Sequence, residues 1–272
     1  MFEQRWEANG HRDYFMGGRD GMLMTTAFWS MRSKHFPRDY AKRMIHTWAL
    51  NKEQGFFGEF FPLAMSKKSM SVFYSADDQA FGYTPDTAYF TLDGMFCQGF
   101  PKIASELTLN HLENYNYHEE WGIPVAPEAY RRDLALFGDQ YSNFNAGKIL
   151  LFIEGLAGLS YSIPDNIFHV KDSMPMNWEW MEFDIPIGNE KGWTQVRYHR
   201  KKGFLGGQKK SITVLNCPLR VKFEPWLDQG ELSRDPDLNG AKFIQQKATH
   251  PNYVSFLAEQ KSSKSSIVLS YK

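Results

Sequence analysis

The spacing of apolar residues divides the chain into a helical first part and a β-rich second part. Over roughly the first 160 residues, apolar or aromatic side chains recur every three or four positions, as on one face of a helix. The last of these stretches has the clearest face, formed by Ile149, Phe152, Ile153, Leu156 and Leu159. The pattern predicts helices over residues 23–34, 39–53, 86–114 with a break or kink at Pro101, 126–137 and 142–159. In the stretch 86–114, Ala88, Leu92, Met95 and Phe96 form one apolar stripe.

After Pro164 the spacing changes to the alternation of strands. The stretch 178–187 contains Trp178, Trp180, Phe183 and Ile185 as its alternating apolar residues. Further strands are predicted over 193–200, 211–215, 219–223 and 266–271. The sequence therefore predicts an α+β protein, with a helical domain over residues 1–163 and an antiparallel, sandwich-like β-domain over 164–272.

Composition narrows the classes of partner. The 31 basic and 31 acidic residues of the 272-residue chain give a formal net charge of zero, which argues against a general nucleic-acid or anionic-membrane binder. Two cysteines are too few for a disulfide framework or a cysteine-rich metal site. The first residues lack a signal-peptide pattern, and the apolar run 149–153 is too short to span a bilayer. We expect a soluble protein with no cofactor or metal, cytoplasmic if the chain is complete.

Five loops of the helical part repeat one mixture of acids, amides, aromatic rings and glycine. Sugars present hydroxyl rims and apolar faces, so this mixture is typical of a carbohydrate site. Each loop also has a structural interpretation, as a helix cap or a solvated turn. The loops are 11–21 with Arg19 and Asp20, 55–62 with Glu59, 75–86 with Phe81, Tyr83 and Asp86, 115–124 with Glu119, Glu120 and Trp121, and 138–145 with Asp139, Gln140 and Asn143.

Glycoside hydrolysis needs two carboxyl groups, one protonated and one ionised, on either side of the bond. Glu59 lies among four phenylalanines, and apolar surroundings raise the pKa of a carboxyl, as a general acid requires. We therefore expect Glu59 or Glu119 as the acid and Glu120 or Asp86 as its partner. Eight other residues of these loops are expected to bind substrate. Stacking on sugar rings is expected from Phe81, Tyr83 and Trp121, and polar contacts are expected from Arg19, Asp20, Asp139, Gln140 and Asn143.

Residues 11–185 resemble the six-hairpin glycosidase superfamily, whose members form an (α/α) toroid of helical hairpins. Residues 15–21 resemble the Arg-Asp entry to a helix in glucoamylase-like members, which implies that Arg19 and Asp20 bind the terminal sugar. Residues 138–159 resemble the last inner helix, and Pro175–Trp178 resembles the opening of the β-rich region that follows it. About 160 residues hold only about half of twelve helices. We therefore expect a partial toroid whose N-terminal half is missing or is supplied by a partner subunit.

Two alternatives remain open at the level of sequence. A polysaccharide lyase removes a proton beside a carboxylate, and His118, Tyr141, Asn143 and Arg131 are its candidate residues. The other is a non-catalytic glycan-binding or scaffold protein, which the half-length of the expected toroid favours. Hydrolysis, elimination and binding without turnover are therefore all compatible with these loops.

Overall fold

The computed structural model describes residues 24–33, 35–70, 82–114, 128–131, 134–138, 142–189, 192–202, 208–224, 237–239, 241–250, 253–260 and 266–271. The chain divides into two compact units, Met1–Gly155 and Leu156–Lys272. The first is helical and the second is built of strands, so the fold is α+β. The boundary between the units falls after residue 155, whereas the sequence pattern placed it after residue 163.

Six short helices form the described part of the first unit. They are α1 (Thr26–Trp29), α2 (Arg38–Met44), α3 (Lys67–Met70), α4 (Pro85–Cys97), α5 (Pro101–Asn114) and α6 (Ser142–Leu150). A 3₁₀ turn, Ser30–Arg32, follows α1, and π-helical turns extend α2 over Ile45–Ala49 and α6 over Leu151–Leu156. Among the described residues, no helix is both long enough and apolar enough to cross a membrane.

The predicted stretch 86–114 is two helices separated by a short turn. Pro85 and Pro101 each occupy the first position of a helix, where proline's missing N–H costs nothing. Gly99, with φ +76°, lies in the intervening turn in the left-handed conformation that glycine favours after a helix. The buried stripe predicted for the first of the two helices is confirmed, since Ala88, Leu92 and Met95 of α4 are fully buried.

The predicted helix over 126–137 is wrong. The described residues of this stretch form a small antiparallel hairpin of β1 (Ala129–Tyr130) and β2 (Leu136–Phe137). Beside the strand pair, the Arg131 N–H donates to the Ala135 carbonyl at 2.8 Å. Leu134 has φ +67°, a left-handed conformation that is incompatible with a continuous helix.

The second unit contains two five-stranded sheets. The strands are β3 (Leu159–Ser162), β4 (Ile167–Lys171), β5 (Trp180–Asn189), β6 (Gly192–Lys202), β7 (Gln208–Leu215), β8 (Arg220–Glu224), β9 (Asp237–Asn239), β10 (Ala241–His250), β11 (Tyr253–Gln260) and β12 (Ile267–Tyr271). One sheet has the strand order β10-β11-β8-β4-β3 and the other β5-β6-β7-β12-β9. Among the described strands every pairing is antiparallel except that of β4 with β8, so the first sheet is mixed rather than purely antiparallel.

Each sheet has a buried apolar row that follows the two-residue period of strands. Val196 and Tyr198 of β6 and Ile212 and Val214 of β7 are buried in one sheet. In the other sheet, Phe168, Val170, Val221, Phe223 and Ala258 are buried. Two sheets with one buried face each are typical of a sandwich-like β-domain.

Candidate functional site

A buried group of aromatic and apolar side chains lies where the loops of the helical unit meet. This loop-junction cluster consists of Phe60, Leu63, Met65, Tyr83 and Tyr130, with Met24 packed against it. The rings of Phe60 and Tyr83 are stacked, with centroids 3.9 Å apart and planes inclined by 20°. Tyr130 meets Phe60 edge-on at 6.4 Å.

Backbone hydrogen bonds hold four separate chain segments at this cluster. Met24 pairs with Met65, and Tyr83 pairs with Tyr130, each as a single antiparallel bridge. In addition, the Ala64 N–H donates to the Gly82 carbonyl at 2.8 Å. Each bond joins segments that are 18 to 47 residues apart in sequence, and together the bonded segments span residues 24–130.

The loop-junction cluster adjoins all five acid- and amide-bearing loops along the chain. Met24 follows Asp20 by four residues, Phe60 follows Glu59 directly, and Tyr83 precedes Asp86 by three residues. Tyr130 follows Trp121 by nine residues, and its pairing partner Leu136 precedes Asp139 by three. Residues that belong to the loops 55–62 and 75–86, or that follow the loop 11–21 by three positions, are thus in one place in the helical unit.

The loop that carries Glu59 is held by its backbone rather than by its carboxyl group. The Glu59 N–H donates to the Tyr83 Oη at 2.8 Å, and the Phe61 N–H donates to the Asn110 Oδ1 at 2.9 Å. The Glu59 side chain is exposed, whereas Phe60 and Phe61 are buried. The apolar enclosure expected for the Glu59 carboxyl is therefore absent, because the rings on either side of it turn into the core.

Tyr83 belongs to the core and not to a ligand surface. Its side chain is 1% exposed, and one face of its ring is covered by Phe60. The expectation that Tyr83 stacks on a sugar is corrected on this ground, because no face of the ring is open. Its hydroxyl instead fixes the backbone of Glu59, which makes Tyr83 a positioning residue.

Asp86 lies in the first turn of α4 and is half-buried. Its Oδ1 accepts the N–H of Thr87 at 2.7 Å. This is the arrangement of an acid at a helix start, where free N–H groups favour a negative charge. A carboxylate has about four acceptor positions, so this bond leaves others for a ligand.

His111 holds the other side of the Glu59 loop. It is fully buried, and its Nδ1 lies 3.1 Å from the Phe61 carbonyl oxygen. A carbonyl only accepts, so Nδ1 carries the proton. Burial lowers the pKa of His111 to about 3, which keeps the ring neutral. The sequence analysis assigned no site role to His111 or Asn110 and missed their positioning role, for which the local sequence contains no signal.

A second polar group on α4 was also missed by sequence reasoning. The Arg32 Nε lies 2.6 Å from the Asp93 Oδ2, and the Tyr89 Oη donates to the Glu154 Oε2 at 3.2 Å. Burial, with help from the charges of Asp93 and Glu154, raises the pKa of Tyr89 to about 12. Tyr89 therefore keeps its proton and is no general base. Each carboxylate already has a donor, as in a surface ion-pair network.

Most of the remaining predicted site residues lie outside the described residues. Asn143 is in α6, where only its backbone is described. In the described part of the chain, no group of three or more His, Cys, Asp or Glu side chains is arranged to hold a metal ion. Arg131 lies at the turn of the β1–β2 hairpin. The residues outside the described ranges are Arg19, Asp20, Phe81, Glu119, Glu120, Trp121, Asp139 and Gln140, together with His118 and Tyr141 of the lyase alternative.

Comparison with known proteins gives little further information. No protein-family model matches the chain, and no curated protein matches it. Among solved structures, the α-L-rhamnosidase from Dictyoglumus thermophilum is similar at 9% sequence identity and a TM-score of 0.41. The likeness covers 69% of this chain and 21% of that enzyme, so the chain spans about a fifth of its length. A likeness this weak assigns neither a fold family nor a function.

Proposed function

We propose that the helical unit carries a glycan-cleaving site of the glycoside-hydrolase type, formed by the five loops around the loop-junction cluster. The observation that supports this proposal is the meeting of Met24, Phe60, Tyr83 and Tyr130 in one buried cluster. A site assembled from distant loops requires their anchors to lie together. The same loops contain the acids, amides and rings that recognition of a hydroxyl-rich ligand requires.

In this proposal the catalytic carboxyl groups come from Glu59, Asp86, Glu119 and Glu120. The exposure of Glu59 favours Glu119 over Glu59 as the general acid, because a protonated carboxyl needs an apolar environment. The helix-start position of Asp86 suits the ionised partner. Substrate binding is assigned to Arg19, Asp20, Phe81, Trp121, Asp139, Gln140 and Asn143, and the fold proposed for the unit is part of an (α/α) toroid.

The test is glycan hydrolysis by single variants of the full chain. We expect at least one of Glu59→Gln, Asp86→Asn, Glu119→Gln and Glu120→Gln to lower the release of reducing sugar by about 100-fold or more, as loss of an acid or base does. Glu113→Gln is the matched control, because Glu113 is an exposed acid of α5 outside the five loops. Far-UV circular dichroism shows whether each variant keeps its fold.

Three results would overturn the assignment. Undiminished cleavage in all four variants would exclude these carboxyl groups from the reaction. A product with a new carbon–carbon double bond, seen by its ultraviolet absorbance, would mean elimination and would favour the lyase residues His118, Tyr141, Asn143 and Arg131. Binding of a glycan without any turnover would favour a non-catalytic glycan-binding protein.

A further inference from the structure

The outer face of β5 and β6 exposes two tryptophans. Trp180 of β5 is 64% exposed and Trp193 of β6 is 60% exposed, although most indole rings are largely buried in folded proteins. The alternate residues Met181, Val196 and Tyr198 are buried, which shows that both indoles lie on the solvent side of the sheet. We call this surface the tryptophan face; its side chains are Trp180, Glu182, Asp184, Trp193, Gln195, Arg197, His199 and Lys201.

The tryptophan face is a linear arrangement with the indoles separated by polar side chains. Trp180 pairs with His199, the next outward pair is Glu182 with Arg197, and the next is Asp184 with Gln195. Trp193 lies beyond them and pairs with Gly188. Since His199 and Trp193 are six residues apart on β6, the two indoles are separated by about 20 Å at ~3.3 Å per residue.

The polar middle of the face is held by its own hydrogen bonds. The Arg197 Nε donates to the Glu182 Oε1 at 2.7 Å, and the Arg197 Nη2 donates to the Gln195 Oε1 at 3.2 Å. All three side chains keep solvent contact, with 40% of the Arg197 side chain exposed. Fixed, accessible donors and acceptors of this kind suit the hydroxyl groups of a sugar and need no rearrangement on binding.

The distribution of charge and apolar surface distinguishes between classes of partner. Protein interfaces have an apolar centre depleted of charge and a polar rim, whereas here the charges are central and the indoles terminal. On β5 and β6 the outward charged side chains Glu182, Asp184, Arg197 and Lys201 sum to zero, so the stretch between the two indoles is not electropositive as binding of a nucleic acid or an anionic lipid requires. A neutral, extended ligand with apolar faces and hydroxyl rims matches both features.

We propose that the tryptophan face binds a neutral polysaccharide chain laid along β6, with sugar rings stacked on Trp180 and Trp193 and hydroxyl groups bonded to Glu182, Gln195 and Arg197. This binding surface is independent of the proposed hydrolysis, because it lies in the strand unit and uses none of the carboxyl groups assigned to catalysis. An inactive protein still binds, and a protein that loses this surface keeps its catalytic residues.

Affinity electrophoresis of the full chain tests this proposal, with hydroxyethyl cellulose, galactomannan and dextran in the gel as neutral probes and heparin as the charged probe. We expect retardation by at least one neutral polysaccharide and none by heparin. Trp180→Ala and Trp193→Ala are each expected to weaken binding about tenfold, and the double variant to abolish the retardation. Trp180→Phe, which keeps a ring, should lose less than Trp180→Ala.

The matched control is Tyr161→Ala, because Tyr161 is an aromatic residue of the other sheet that is 56% exposed. It should bind within about twofold of the unmodified chain. Retardation that the double tryptophan variant loses is expected whether or not the chain hydrolyses a glycan, which separates failure of this proposal from failure of the proposed hydrolysis. No retardation by any neutral probe, equal retardation of the double variant, or retardation by heparin alone would overturn the proposal. The proposal would also be overturned if analytical ultracentrifugation showed that the unmodified chain is a dimer and that the double variant is a monomer. A second copy of the chain would then occupy the tryptophan face.

Discussion

Replacing Tyr83 by phenylalanine removes one atom from the loop-junction cluster, the Oη that accepts the Glu59 N–H at 2.8 Å. The ring keeps its stacking on Phe60, so little apolar contact is lost. The Glu59 side chain is exposed, and water therefore has access to the vacated N–H. We expect Tyr83→Phe to lower the free energy of unfolding by about 1 kcal/mol, the usual net value of one hydrogen bond.

The same hydroxyl limits the space beside Gly58. A Cβ added at Gly58 would lie 2.0 Å from the Tyr83 Oη, 2.9 Å from the Tyr83 Cζ and 3.1 Å from the Leu63 Cγ. Overpacking of this kind costs about 1–3 kcal/mol. In the Tyr83→Phe background the closest of these contacts disappears, so Gly58→Ala should cost at least about 1 kcal/mol less there than in the unmodified protein.

Urea unfolding of the four proteins of this double-mutant cycle, followed by tryptophan fluorescence and far-UV circular dichroism, measures the coupling between the two residues. The effect of Gly58→Ala on the unfolded chain is the same in both backgrounds and cancels in the cycle. Tyr130→Phe is the control background, because Tyr130 is in the same cluster but does not approach Gly58. Additivity of Gly58→Ala and Tyr83→Phe within about 0.5 kcal/mol would refute the placement of the Tyr83 hydroxyl against this loop.

Two further predictions concern the buried basic side chains His111 and Arg200. The pKa of His111 is about 3 in the folded chain and 6.5 for a free side chain. Between these two pH values only the unfolded form takes up the proton. The free energy of unfolding therefore falls as the pH falls, by up to ~1.4 kcal/mol per pH unit. Urea unfolding at pH 7.5 and 4.5 should show a smaller pH effect in His111→Gln, and an equal effect would contradict the burial of the ring. Arg200 is 7% exposed and donates to three backbone carbonyls of the segment 174–178 at 2.7–3.2 Å. Arg200→Met should cost about 3 kcal/mol in thermal unfolding. The control Arg220→Met should cost under about 1 kcal/mol, because the half-buried Arg220 donates one solvent-exposed hydrogen bond, to the Asp165 carbonyl; equal losses would count against the role of Arg200.

The regular elements with a strong period were predictable from the sequence. The stripe of Ala88, Leu92 and Met95 identified α4, because a buried helical face repeats every three to four residues. The predicted helix over 142–159 ends earlier, at Leu156. Gly158 accounts for this, since at φ +64° it turns the chain into β3, and a Cβ there would lie 2.3 Å from the Lys171 carbonyl oxygen.

The contacts that build the candidate site were not predictable. Phe61 is bound by Asn110 and His111, which lie 49 and 50 residues further along the chain. Neither residue type has a local pattern that indicates such a partner, because loop contacts depend on the tertiary arrangement of α5. The acid-rich composition of the loops indicated which segments are candidates for a site. Only the structure shows that the Glu59 side chain points to solvent.

The aromatic residues show where sequence can and cannot separate a core ring from a ligand-binding ring. Within a strand, side chains alternate between two faces, so Glu182 and Asp184 place Trp180 on the solvent face of β5 while Met181 faces inward. The sequence interpretation grouped Trp180 with Phe183 and Ile185, which lie on the opposite face, and the charged neighbours were the signal that it missed. A loop has no such period, and Tyr83 was therefore taken for a ligand platform although it is a core residue. It follows that in this chain an exposed aromatic residue can be predicted from the sequence in the strand unit, whereas in the helical unit only the structure distinguishes an exposed ring from a core ring.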